Sequence, residues 1–133
     1  MLLSRDQIWC IMNLKSFLID IDGTVCDDIP NEEPERMVTA QVFPDALETI
    51  NQWYDEGNTI TFFTARTIEH KEITEEWLNR HGFKYHGVIY GKPRYTGQAY
   101  HWIDNRPVKA TTYLDKFVKL ERQMREIEVF PEG

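Results

Sequence analysis

Asp20 and Asp22 stand one residue apart at the end of an apolar run, Phe17-Leu18-Ile19-Asp20-Ile21-Asp22-Gly23-Thr24-Val25. Carboxylates held that close repel one another and need cations to offset them. Three later stretches deliver further polar groups at the ends of apolar runs or beside a glycine. Thr64 closes the run Ile60-Thr61-Phe62-Phe63-Thr64, Lys92 sits in Gly91-Lys92-Pro93, and Asp104 and Asn105 end Trp102-Ile103-Asp104-Asn105. A hard divalent cation suits such oxygen donors, and Mg2+ in particular keeps several waters while joining a few protein oxygens to a substrate phosphate. The set therefore favours phosphoryl chemistry. One aspartate can attack phosphorus to form an acyl phosphate, and a second, one residue removed, can protonate the leaving oxygen and later activate water. A threonine hydroxyl can hold a phosphoryl oxygen, and a lysine offsets both the nucleophile and the charge of the trigonal-bipyramidal transition state.

These residues need elements to bring them together. Phe17, Leu18, Ile19 and Ile21 predict a strand buried on both faces, as in a parallel sheet, with Gly23 letting the chain turn at once. Residues 26–36 carry Asp27, Asp28, Glu32, Glu33 and Glu35 with Pro30 and Pro34, which resists both helix and central strand and predicts an acidic flap. A short extended piece over 37–42 completes that flap. Pro44 opens a helix whose face of Ala46, Leu47, Ile50, Trp53 and Tyr54 is core and whose stop is Gly57. Residues 59–64 form a second strand, Ala65-Arg66-Thr67 a polar turn, and 68–81 a helix with Ile73, Trp77 and Leu78 at helical spacing before Gly82. A third strand over 87–90 precedes Lys92, and a fourth over 100–103 precedes Asp104-Asn105-Arg106-Pro107. Ala110, Tyr113, Leu114, Phe117, Leu120, Met124 and Ile127 lie on one stripe, so residues 108–128 are expected to close the chain as a helix packed on the sheet.

Strands alternating with helices predict an α/β fold, a three-layer α/β/α sandwich around a mainly parallel Rossmann-like sheet. In such sheets ligands bind outside the carboxyl ends of the strands. Asp20, Asp22, Thr64, Arg66, Lys92, Asp104 and Asn105 all fall just past strand ends and are expected to meet in one crevice.

The chain of 133 residues, 41% hydrophobic, suits a single domain over 1–133, with 1–13 as an N-terminal extension in which Met12 is an alternative start. Fifteen basic against twenty-two acidic side chains give a net charge of −7, which works against non-specific attraction to nucleic acid or anionic membrane. Cys10 and Cys26 match neither a disulfide framework nor a metal-ligand spacing, as expected in a reducing cytosol. No apolar run reaches membrane-spanning length, and Arg5 and Asp6 spoil the start as a signal peptide, so a cytoplasmic protein is expected. His70, His81, His86 and His101 show no ligand spacing. Trp9 and the closing helix are candidates for an oligomer interface.

The ordered motifs resemble those of the haloacid dehalogenase (HAD) superfamily of phosphohydrolases. The resemblance covers about residues 17–108 and rests on four motifs in order, since D-x-D alone is weak. It makes Asp20 the nucleophile and Asp22 the general acid and base, with the backbone carbonyl of Asp22 on the metal. It assigns Thr64 to phosphate binding beside the amides of Ala65 and Arg66, Lys92 to charge compensation, and Asp104 to the remaining protein carboxylate on magnesium. Asn105 departs from the commoner second acid, and its neutral amide implies a weaker hold on the ion. Arg66 can pair with substrate or with the acidic flap. Both intervals that hold cap domains in relatives are short here, which implies a capless core whose substrate, or a neighbouring subunit, covers the site.

Gly91-Lys92-Pro93 followed by Asp104-Asn105-Arg106 is also similar to small capless phosphatases of capsule and lipopolysaccharide biosynthesis, which implies a phosphorylated sugar or related metabolite as substrate. The same ending resembles the phosphatase domain of polynucleotide kinase-phosphatases. Net acidity and the lack of a basic stripe argue against that alternative, although Lys84, Tyr85, His86, Lys92, Arg94 and Tyr95 could form a modest patch. A different class of reading is a catalytically weak phosphate- or metal-binding module, suggested by Asn105.

Overall fold

The first apolar run forms β1 (Ser16–Ile19), and the second, rich in β-branched and aromatic residues, forms β2 (Thr59–Phe63). A computed structural model describes residues 2–114, Phe117 and Arg125–Glu126, with residues 9–12, 125 and 126 described by their backbone alone. β1 pairs in parallel with β2 from Ser16 opposite Thr59 to Ile19 opposite Phe62. β3 (Gly87–Ile89) pairs in parallel with the other side of β2, Thr61 lying opposite Gly87 and Phe63 opposite Ile89. The sheet order is thus β1-β2-β3.

Ahead of the sheet lies α1 (Arg5–Met12), within the stretch expected as an extension. A short α2 (Glu35–Val38) occupies part of the flap, where 37–42 was expected to be extended. Only its end is so: Val42 bridges Cys26, and Phe43 donates its amide to the Val25 carbonyl. The turn over Pro34 explains the helix, because Met37 donates to the Pro34 carbonyl and its side chain is fully buried.

α3 (Pro44–Asp55) begins with proline at the first turn, where its missing N–H costs nothing, and buries Ala46, Ile50 and Trp53. Gly57 ends it at φ 101, a conformation that glycine adopts without strain. Asn58 then ties the helix to the sheet. Its side chain donates to the Trp53 carbonyl at 2.9 Å and accepts from the Lys15 amide at 2.9 Å, just before β1. A 3-10 turn (Ile68–His70) leads into α4 (Lys71–Arg80), so the helix expected over 68–81 starts later than its hydrophobic spacing suggests.

The core sits where α3 and α4 meet the sheet. Phe17 stacks on Trp53 at 4.2 Å, Phe62 meets Phe83 edge-on at 5.7 Å, and Phe83 stacks on Trp77 at 5.7 Å. Ile19, Ile60, Phe62, Trp77 and Leu78 are buried with them. Leaving the indole N–H of Trp77 unpaired here would cost about 1–3 kcal/mol, and it donates instead to the Ala40 carbonyl at 2.9 Å.

Three expectations need correction. β1 is not buried on both faces: Ile19 is buried, whereas Leu18, on the other face, is 43% exposed. Residues 100–103 form no strand, and Tyr100, Trp102 and Ile103 are exposed. The helix expected over 108–128 does not begin as one, because β4 (Lys109–Ala110) pairs antiparallel with β5 (Arg125–Glu126). Pro107 and the β-branched pair Thr111-Thr112 disfavour a helix there. Its positions 115–116, 118–124 and 127–128 lie outside the described residues. The parallel sheet with flanking helices is an α/β, Rossmann-like fold. Among the described residues no helix is long and apolar enough to cross a membrane.

Candidate active site

Past β1 the chain doubles back within a few residues. Thr24 and Val25 both donate their amides to the Ile21 carbonyl, at 3.1 and 2.9 Å, and Gly23 turns at φ 82. A Cβ at Gly23 would meet Asp28 only at ordinary contact distance, 3.4 Å, so it is the positive φ that favours glycine. This turn holds Thr24 beside Asp20, whose Oδ2 accepts from the Thr24 hydroxyl at 3.1 Å.

The opposite wall comes from the ends of β2 and β3. Thr64 donates its amide to the Ile89 carbonyl, Lys92 donates its amide to the Thr64 carbonyl, and Gly91 donates to the Arg66 carbonyl, all at 2.9 Å. That stitching fixes the Lys92 backbone and sends its ammonium to Asp20 Oδ1 at 3.2 Å. The ammonium also lies 5.1 Å from the Tyr100 ring centre and 5.7 Å from that of Phe63. Asp20 is a partly exposed carboxylate at a strand end, held by a cation and a hydroxyl, and is thus aimed and accessible.

Asp22 is placed differently. Arg66 donates to both its oxygens, Nε to Oδ2 at 2.9 Å and Nη2 to Oδ1 at 2.7 Å, and Arg66 is fully buried. The remaining guanidinium nitrogen donates to the buried Thr74 hydroxyl at 3.0 Å. This fork-to-carboxylate pairing is the strong, geometrically specific kind. Each Asp22 oxygen keeps a further lone pair beside the bond it accepts from Arg66. Arg66 thus pairs with Asp22 and Thr74 rather than with the acids of the flap.

Of the expected phosphate-binding groups, Thr64 is buried and its hydroxyl accepts from the Arg66 amide at 3.1 Å, while the Ala65 carbonyl accepts from Asn31 at 3.0 Å. Asn31 belongs to the flap, which is clasped a second time by Arg94 donating to Glu32 at 2.9 Å. The acidic flap is thus anchored to the crevice rim at both Ala65 and Arg94.

Asp104 and Asn105 make no recorded contact with Asp20 or Asp22 among the described residues. Asp104 is exposed, and the Trp102 indole and the Arg106 amide, donating at 3.2 and 3.1 Å, hold its carboxyl below the ordinary range. With 100–103 outside the sheet, no strand carries Asp104 to Asp20. Among the described residues no three His, Cys, Asp or Glu side chains gather as a metal group. The donors that do suit magnesium are the hard oxygens at the end of β1, and this ion needs only one or two carboxylates besides phosphate and water. Cys26 offers no rival nucleophile, since burial, and then the Asp22 charge, push its thiol up to about 12.

Sequence reasoning missed Thr24, Thr74 and Asn31. Thr74 had a signal, being a polar residue on the same helical stripe as Trp77 and Leu78. The ring of Tyr100, read as a strand residue, also turns out to border Lys92, and that of Trp102 meets Phe63.

Residues 17–119 match the family model described as PITM 1-3, LNS2 domain. A Bacillus cereus protein provisionally named a nucleotidase is 43% identical over 44 residues, 33% of this chain and 23% of that protein's length. The chain therefore matches about a quarter of that relative. A target protein from Vibrio cholerae, solved by crystallography, superposes with a TM-score of 0.54 at 24% identity, covering 71% of this chain and 83% of that one. That likeness shows the fold.

Proposed function

The chain belongs to the family of the PITM 1-3 LNS2 domain, a HAD-like phosphatase fold, and from that premise we propose that it hydrolyses phosphomonoesters through Asp20. The observation that carries the reading is the contact of Asp20 with Lys92 and Thr24 at the strand ends. An Asp20 oxygen attacks phosphorus, the ester oxygen leaves, and water then cleaves the acyl phosphate. Lys92 offsets the charge spread over the phosphoryl oxygens, and Thr24 keeps the carboxylate oriented. Asp22 moves the proton to the leaving oxygen and from the water, using a lone pair that Arg66 leaves free.

Magnesium belongs to the same proposal. The Asp20 carboxylate and the Asp22 carbonyl would hold it, with Asp104 and Asn105 outside the set. When bound, it supplies positive charge to the phosphoryl oxygens. We further propose a single capless unit, because α2 alone interrupts the interval between β1 and α3, and only the 3-10 turn and α4 lie between β2 and β3. A small phosphorylated sugar or related metabolite suits an open site of this kind, and the buried free Cys26 suits a cytoplasmic setting.

A panel of phosphomonoesters assayed for free phosphate tests this. Release is expected from at least one sugar or nucleoside phosphate, dependent on added magnesium and abolished by chelation. If no ester is hydrolysed, while phosphate with magnesium raises the melting temperature, the chain is a binding module instead.

A further inference from the structure

Tyr95, Tyr100 and Trp102 are 66%, 54% and 43% exposed, an unusual display of large rings on an acidic chain of this size. They are not scattered. Tyr95 and Tyr100 lie with ring centres 6.3 Å apart, and Trp102 meets Phe63 at 6.4 Å in a near-perpendicular contact. The Lys92 ammonium joins the two halves, lying over both Tyr100 and Phe63. The rings are also fixed in place, because the Tyr100 hydroxyl donates to the Pro93 carbonyl and the Trp102 indole to Asp104. One ammonium thus touches the Asp20 carboxylate on one side and an aromatic wall on the other. That ammonium stands 3.2 Å from the carboxylate and 5.1 Å from the Tyr100 ring centre, so the attacking group and the wall flank the same side chain.

Resting on the phosphomonoesterase reading, we propose that this wall stacks the planar ring of the leaving group, so that the preferred substrates are sugar phosphates carrying a nucleobase. Every base has a face that stacks on an aromatic ring, and such stacking needs no base-edge contacts. Polynucleotides are disfavoured. Arg94, the nearest further cation in sequence, is engaged by Glu32, and a net charge of −7 offers no track for additional phosphates. Lys92 is a positioning contact for the wall as well as for Asp20, and Tyr100, beneath it, is the specificity-determining residue.

The test compares adenosine 5′-monophosphate with ribose 5-phosphate on the full chain with magnesium. Removing the base should raise KM roughly tenfold with little change in kcat. Tyr100→Ala should shrink that difference by raising KM for the nucleotide several-fold more than for ribose 5-phosphate, any loss of the Lys92 contact falling on both esters, and Tyr100→Phe, which keeps the ring, should restore the difference. Equal KM for the two esters overturns the proposal, as does a Tyr100→Ala variant that weakens both alike. Calorimetric binding of the same two ligands keeps the tests separate. If neither ester is hydrolysed the phosphatase reading fails, and the wall then stands on tighter binding of the nucleotide and falls on equal affinities.

Discussion

Purified Asp20→Asn protein is expected to lose at least about a thousandfold in phosphate release while keeping its fold. The amide keeps the size of the carboxylate and one oxygen for Thr24 or Lys92, but it is a poor nucleophile toward phosphorus. The stability change should be small. The Asp20 side chain is 35% exposed, so solvent screening discounts its pairing with Lys92 to at most about 1 kcal/mol. Circular dichroism melting beside the phosphate assay checks both halves. A well-folded variant retaining substantial turnover would remove Asp20 from the chemistry.

The largest expected effect on stability lies one residue pair away. Arg66→Ala leaves the Asp22 carboxylate without its fork, strands the Thr74 hydroxyl and opens a void where a fully buried side chain stood. Breaking one partner from a buried ion pair costs about 3–5 kcal/mol. For a chain of this length that corresponds to a melting temperature roughly 10–20 °C lower. Arg66→Lys should lose less, because charge remains while the two-point geometry does not. A melting temperature for Arg66→Ala within roughly 2 °C of the parent would show that this pair does not hold the loop.

The contrast between these residues shows what the sequence makes legible. Trp77 and Leu78, Pro44 and Gly57, and the glycines after each acidic or basic strand end could be read because local periodicity and backbone chemistry dictate them. The pairing of Lys92 with the first strand's acids followed from the rule that strand ends share one edge. Arg66 could not be read that way. Its partner lies 44 positions earlier, and no spacing distinguishes Asp22 from substrate or from the flap acids. Residues 100–103 have strand-forming types, yet a strand also needs a sheet edge to join, and here Tyr100 and Trp102 engage Pro93, Phe63 and Asp104 instead. The strand expected to carry Asp104 and Asn105 to the Asp20 edge is absent, and Asp104 engages Trp102 and the Arg106 amide. Near Lys109, the stripe of apolar residues suggested helix, whereas Pro107 and the threonine pair already argued locally for extension.

The central claim is that phosphorus becomes bonded to Asp20 during turnover. Quenching the enzyme on a hydrolysed ester, reducing any acyl phosphate with borohydride and mapping peptides by mass spectrometry would locate that bond. The peptide holding Asp20-Ile21-Asp22 should show the reduced product at Asp20 and nowhere else. Rapid hydrolysis with no reduced product at Asp20, or with the product at another carboxylate, would contradict the account.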